Sequence, residues 1–154
     1  MNEERERKSE LNPELKSGAD IVLQGIVAAT NQVDAEIGIT LNVSGLVISG
    51  QLISSKTYFG ELSKLMGLAE TNSEGGSAVA SAFNKFFQTL ADSPNSSNET
   101  QIPEYIHLKN ARSYISGDSV IPNSGALWRG QLSSVDGFFI GELSVKKRRE
   151  MKKE

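Results

Sequence analysis

The side chain best suited to proton-transfer chemistry is His107, because the sequence contains one histidine and no cysteine. It lies in the run YIHLKN (105–110), whose alternation of residue types is typical of a β-strand. Its neighbours on the same side, Tyr105 and Lys109, predict that it points to the wetter face of a sheet. No G-x-S-x-G turn accompanies it to supply a nucleophile. We therefore interpret His107 as a surface or hydrogen-bonded structural residue, not a catalytic one.

Metal and nucleotide sites have no motif in this sequence. With no cysteine and a single histidine, only carboxylate sites remain possible, and no D-x-[DN]-x-[DN]-G calcium loop occurs. The fourteen glycines form neither a G-x-x-x-x-G-K-[ST] nor a G-x-G-x-x-G motif, so turns and strand positions explain them better than phosphate contacts. The sequence thus predicts a protein that is not an enzyme and has no cofactor and no metal.

Length and hydropathy favour one cytoplasmic domain. A chain of 154 residues can bury enough surface to fold without disulfides. Its most apolar run, ADIVLQGIVAA (19–29), is far shorter than the ~20 residues that span a bilayer. The first ten residues have no apolar signal-peptide core. We expect a cytoplasmic protein without membrane insertion.

Charge is distributed unevenly along the chain. The overall net charge is −3, but the last ten residues, VKKRREMKKE, carry six basic and two acidic side chains. Such a tail could be an electrostatic tether for an acidic surface, or simply a solvated end, and the sequence leaves both open. The acidic body makes nucleic acid an unlikely partner. The tail residues that we select as candidate partner contacts are Lys146, Lys147, Arg148 and Arg149.

The elements that must position these residues begin with helices and a hairpin. Apolar spacing of three and four predicts a helix over 19–34 and two more within 54–67 and 77–91, the last capped by Ser77. Between the first two, residues 39–52 alternate around Ser44-Gly45, which predicts a β-hairpin pairing Val43 with Leu46. One face of this hairpin should be dry and the other wetter or partly covered.

The second half of the chain predicts more strands. A strand over 105–110 is followed by WRGQLSSVDGFFIGELS (128–144), in which Asp136-Gly137 suggests the loop of a second hairpin. Helices and strands that are segregated along the chain indicate an α+β fold with an antiparallel sheet of about five strands, two hairpins plus one strand, and two to three helices packed on it. We expect one domain over 19–144, with a disordered charged leader (1–18), a flexible linker (92–101) and the basic tail (145–154).

The predicted second hairpin has two unlike faces. One face would carry Trp128, Leu132 and Phe139, which we expect in the core. The other would carry Phe138 and Ile140 among polar residues, which makes these two the candidate partner contacts within the folded domain.

With these blocks in view, the chain resembles the gas vesicle accessory protein U family. The matching segments are ITLNVSGLVISGQLISSKTYFGEL (39–62), IHLKN (106–110) and the stretch 128–144, within a resemblance that spans about residues 20–144. The resemblance implies a non-enzymatic cytoplasmic protein that assists gas vesicle assembly or associates with the vesicle surface. It also implies partners among shell or other gas vesicle proteins and possible self-association, and it brings no catalytic residues.

A rival interpretation is a small Sm-like β-barrel that binds nucleic acid. An N-terminal helix followed by strands, and the segment GQLSSVDGFF (130–139), favour it. Two helices between 54 and 91 disfavour it, because they interrupt the strands of what should be a compact barrel.

Overall fold

The computed structural model describes residues 18–68, 74–92, 102–114 and 120–144. The predicted linker and tail, and all but the last residue of the predicted leader, lie outside these ranges, apart from Asp92. The elements, in chain order, are α1 (Ile21–Val33), β1 (Ile37–Val43), β2 (Leu46–Leu52), α2 (Ser55–Leu68), α3 (Glu74–Ala91), β3 (Tyr105–Tyr114), β4 (Val120–Gln131), a 3-10 turn (Leu132–Ser134) and β5 (Gly137–Ile140). The prediction of an α+β fold is confirmed.

The five strands form one open antiparallel sheet in the order β4-β3-β2-β1-β5. Because β4 and β5 lie at opposite edges, the sheet does not close into the small barrel of the Sm-like interpretation. None of the described helices is long and apolar enough to cross a membrane.

The main core lies between α1 and one face of the sheet. Asp20 caps α1, since its carboxylate accepts hydrogen bonds from the backbone N–H groups of Val22 and Leu23. The helix then directs Leu23 and Val27 onto the sheet. Strand residues at alternating positions complete the core, as the period of two requires. The fully or nearly buried strand residues are Ile39, Leu41, Ile48, Leu52, Ile106, Leu108 and Ala111.

The first hairpin has the predicted register. Val43 pairs with Leu46, and Leu41 pairs with Ile48, across the two-residue loop. Both loop residues have positive φ, 53° at Ser44 and 82° at Gly45, as a primed hairpin turn requires. Local sequence therefore determined this pairing.

The predicted second hairpin over 128–144 is wrong. β4 pairs with β3, which makes β3–β4 the second hairpin of the fold, whereas β5 pairs with β1 at the other edge of the sheet. The break comes at Leu132, whose side chain is fully buried and whose N–H donates to Glu104 O at 2.9 Å. The 3-10 turn then carries the chain to β1, where Asp136 N–H donates to Asn42 O at 2.8 Å. Residues 137–140 therefore pair with β1 instead of folding back through an Asp136-Gly137 turn onto the preceding strand.

The opposite face of the sheet is covered in two places. At one end α2 packs over β3, and α3 packs against α2 through the Phe59 and Phe87 rings, whose centres are 6.4 Å apart. Elsewhere the chain after β5 crosses this face as an extended segment, residues 141–144, which we name the crossing segment. The sheet face that we predicted to be wetter is therefore partly covered, as expected.

The crossing segment is held by side chains of three strands. Thr40 Oγ1 donates to Gly141 O at 2.8 Å, and Ser49 Oγ accepts from Leu143 N at 2.8 Å. Tyr114 OH donates to Leu143 O at 2.6 Å. The turn into the segment uses Gly141 at φ 122°, a conformation that side chains with a Cβ rarely adopt. These contacts satisfy the buried hydroxyls of Thr40 and Ser49 without a covering helix.

Gly50 lets a bulge form in β3, and its substitution should destabilise the protein. A Cβ at position 50 would lie 2.9 Å from both Ala111 Cα and Lys109 O, where the β2–β3 register shifts. Both atoms are backbone, so the strands themselves must move. We expect Gly50→Ala to lower the free energy of unfolding by about 2 kcal/mol in urea denaturation.

Gly60→Ala is the matched control for this prediction. Gly60 lies within α2, and a Cβ there meets nothing within 4 Å, so alanine should stabilise the helix by about 0.5–1 kcal/mol. If Gly50→Ala and Gly60→Ala changed the free energy of unfolding equally, the steric explanation would be wrong.

Candidate interaction surfaces

His107 does not point to a wet face, because α2 covers it. Its neighbours Ile106 and Leu108 point into the α1 core, so His107 points to the opposite face. There its ring lies 4.6 Å from the Tyr58 ring and 5.7 Å from the Phe59 ring, between ring centres. The side chain is only 4% exposed. The interpretation as a hydrogen-bonded structural histidine agrees with this, but the predicted exposure is wrong.

Hydrogen bonding determines the protonation of this histidine. Arg129 Nε donates to His107 Nε2 at 3.2 Å, so the proton of the neutral ring resides on Nδ1. Nδ1 is buried and has no hydrogen-bond partner among the described residues. Burial, and secondarily the nearby Arg129 charge, lower the pKa of His107 from 6.5 to about 4. The imidazole is therefore neutral at physiological pH.

The groups around His107 strengthen this structural role. The Arg129 guanidinium also lies over the Tyr105 ring, 3.6 Å from its centre, as a cation–π contact. Burial raises the pKa of Tyr58, so its phenol stays protonated. Within the described ranges, no group of three His, Asp or Glu side chains could hold a metal ion. The cluster joins α2 to the β3–β4 hairpin.

A second polar cluster joins the end of α1 to the start of α2. Asp34 accepts hydrogen bonds from the hydroxyls of Ser54 and Thr57, which hold its pKa below the ordinary value. Ser54 Oγ in turn accepts a hydrogen bond from Thr57 N at 3.0 Å and thereby caps α2. Asn31 Oδ1 also accepts a hydrogen bond from the Ser55 backbone N–H at 2.9 Å. This cluster orients α2, and with it α3.

An exposed apolar surface lies on α3. The helix predicted over 77–91 is present, but it begins at Glu74, not after Ser77, and only one side of its apolar surface packs against the rest of the protein. Ala80 is buried and Phe87 half-buried, whereas Val79, Phe83 and Phe86 are all about half exposed. Leu65 of α2 is exposed as well. We name these four exposed side chains the α3 surface.

The edge strand β5 is the second exposed apolar region. Phe139, predicted in the core, is 52% exposed, because β5 pairs with β1 and directs this ring away from the α1 side. Phe138 packs against the core and is half-buried, while Ile140 is 56% exposed. Trp128 is half-buried against the core and lies over Gly130, as its predicted face requires. The structure brings Phe138 and Ile140 onto one face, at the outer edge of the sheet.

The tail residues lie outside the described part of the chain. Lys146, Lys147, Arg148 and Arg149 follow the crossing segment in the sequence. Their assignment as partner contacts stays a prediction. Sequence reasoning missed the α3 surface as a site, although its signal, a strongly apolar stripe with little charge, was readable.

Comparison with known proteins gives one family match. A family model described as gas vesicle protein GvpU-like matches residues 20–143. Neither the curated proteins nor the solved structures include a match. The matched range covers every described helix and strand and leaves out the basic tail.

Proposed function

Since the chain belongs to the GvpU-like family of gas vesicle proteins, we propose that it is a non-enzymatic accessory protein that assists shell assembly or associates with and clusters vesicles. The observation that carries the proposal is the family match over residues 20–143. The partners would be shell or other gas vesicle proteins, contacted in the cytoplasm. The burial of His107 under α2 supports a role without catalysis.

The α3 surface is the best support for contact with a protein partner. From Ala78 to Ala91, Lys85 is the only charged residue, and two phenylalanines are about half exposed. Aromatic side chains supply much of the energy of protein interfaces, whereas charged residues are depleted at interface centres. We propose that a protein surface of the gas vesicle covers Val79, Phe83 and Phe86.

The basic tail would add an electrostatic attraction. Its six basic side chains follow a domain that is acidic overall, so the tail can reach an acidic surface while the domain binds through apolar contacts. This part of the attraction should weaken as salt rises, because exposed charges are screened over a Debye length of about 8 Å at physiological ionic strength.

Co-flotation of purified protein with isolated gas vesicles tests both contributions. We expect the double variant Phe83→Ser/Phe86→Ser to bind at least about tenfold more weakly at any salt concentration, because each lost phenylalanine removes more than 1 kcal/mol of apolar burial. Deletion of residues 145–154 should weaken binding at low salt only.

The matched control is Ile21→Ser, at an apolar residue on α1 that is exposed to a similar or greater extent. It should float with vesicles as the unsubstituted protein does. Equal binding by the α3 double variant would contradict the role of the α3 surface. Binding that is independent of salt and unchanged by tail deletion would contradict the role of the tail, and a protein that never floats with vesicles would overturn the proposal itself.

A further inference from the structure

The two edges of the sheet differ in how they are protected. Soluble proteins block edge strands with proline, charge or irregular backbone, because an open edge recruits another strand. β4 has such devices: Pro122 has no N–H to donate, Arg129 carries a charge, and the β3–β4 register shifts twice. β5, with the sequence GFFI (137–140), has none of these three devices and is protected only by its length of four residues.

The outer side of β5 is open and apolar. Within the described ranges, no strand pairs with β5 on the side away from β1. Phe139 and Ile140 are both more than half exposed, although their cross-strand neighbours Thr40 and Ile39 are fully buried. The edge therefore combines free backbone groups with apolar side chains on both faces.

The register tells which backbone groups are free. Gly141 N–H donates to Gly38 O at 2.7 Å, which makes residues 38 and 141 a hydrogen-bonded pair. In an antiparallel ladder, successive residues direct their N–H and C=O groups to opposite sides. Phe139 therefore directs its backbone groups toward β1, and Phe138 and Ile140 direct theirs outward.

A second copy of this chain fits that edge. When two β5 strands lie antiparallel across a two-fold axis, Phe138 of each copy pairs with Ile140 of the other, and four backbone hydrogen bonds form. The same register places the two Phe139 residues directly opposite each other, as a non-hydrogen-bonded pair whose side chains are close. Every cross-strand contact is then apolar: Phe138 with Ile140 on the α1 face, and Phe139 with Phe139 on the other.

We propose that β5 is the interface of a two-fold symmetric dimer, in which two copies join their five-stranded sheets into one continuous sheet of ten strands. Self-complementarity favours a second copy over a foreign strand, because the sequence GFFI supplies its own apolar partners in this register. The inference does not depend on gas vesicle binding, and it concerns a surface distant in sequence from the α3 surface.

A charge-swap experiment tests the register at its centre. Phe139→Lys and Phe139→Glu each place like charges opposite each other, so each variant alone should dissociate at least about 100-fold more readily than the unsubstituted protein. An equimolar mixture of the two should restore dimerisation, because it places Lys opposite Glu. Sedimentation velocity over a range of concentrations measures all three. Restoration in the mixture would also show that both variants fold.

Cross-linking gives an independent measure, since the chain has no native cysteine. Directly opposite residues of a non-hydrogen-bonded pair, with Cα atoms about 4.5 Å apart, lie within the range for a disulfide. Phe139→Cys should therefore form a disulfide-linked dimer at least about tenfold faster than Val33→Cys, a control at an exposed apolar residue of α1.

Three results would overturn the proposal. One is an unsubstituted protein that stays monomeric up to about 0.5 mM, which corresponds to negligible affinity. Another is cross-linking of the two cysteine variants at equal rates. The third is a Phe139→Cys variant that links to a different gas vesicle protein but not to itself, which would assign the edge to a foreign strand.

Discussion

Acidification from pH 6.5 to pH 4 should lower the free energy of unfolding by about 3 kcal/mol through His107. The folded-state pKa of this residue is about 4, whereas in the unfolded chain it returns to about 6.5. In that window the unfolded chain therefore binds more protons than the folded protein, and stability falls as pH falls. Above about pH 7.5 the site is neutral in both states, and its contribution no longer changes with pH.

The physical reason is the set of groups that face the imidazole. Tyr58 and Phe59 of α2 remove water from one side, and Arg129 of β4 presents a positive charge to Nε2. Protonation would place an imidazolium next to a guanidinium, and unfolding relieves the repulsion between these two positive charges.

Urea denaturation at intervals between pH 4 and pH 7 measures this effect. His107→Phe is the matched variant, because it keeps the ring contacts and removes the titrating group. The difference between the two stability curves isolates His107 from the carboxylates. Parallel curves would show that His107 is solvated in the folded protein, which would contradict its burial in the structure.

The Asp34 carboxylate affects stability at lower pH. Its folded-state pKa is depressed, so its contribution is lost only as pH falls below the ordinary aspartate range.

Substitution of Leu132 by alanine should lower the free energy of unfolding by about 3 kcal/mol, which corresponds to about 10 °C in melting temperature for a chain of this size. Leu132 is fully buried in the α1 core although it belongs to a turn and not to a strand. Its removal leaves a cavity at the point where the chain leaves β4 for β5. The same change should raise amide exchange at Phe139, because β5 is attached to the sheet through this turn and four residue pairs.

Leu46→Ala provides the control, since Leu46 lies in the first hairpin and is partly exposed. Leu46→Ala should lower the free energy of unfolding by less than about 1 kcal/mol. A similarly small effect at Leu132 would contradict its place in the core. Calorimetry gives the melting temperatures, and hydrogen exchange followed by mass spectrometry resolves the β5 segment.

The family assignment and the fold class were both predictable from the sequence. The resemblance to the gas vesicle protein U family rested on blocks within residues 39–144, and the family model confirms it. The α+β class rested on the change from a helical spacing to a period of two, which reflects local backbone geometry. The same locality explains why the first hairpin has the predicted register: a two-residue loop permits only one pairing of its flanking strands.

The candidate sites were harder to predict because exposure is a property of packing. His107 sits on the predicted side of its strand, but α2 arrives there from fifty residues away. Phe83 and Phe86 have the spacing of core residues, yet α3 packs mainly against α2 and leaves them exposed. In each case the spacing of apolar and polar residues indicates which side of its element a residue faces. It does not indicate whether another element covers that side.

By itself, the sequence determined the helices, the strands, the first hairpin, the absence of thiol chemistry and the charged tail, because these depend on residue type and on neighbours a few positions apart. The tertiary structure alone decided that WRGQLSSVDGFFIGELS is not a hairpin. It placed Leu132 in the core, β4 and β5 at opposite edges, and Phe139 at an open one. The physical reason is that β1 offered a free edge to residues 137–140, and the pairing of distant strands outweighed a favourable local turn.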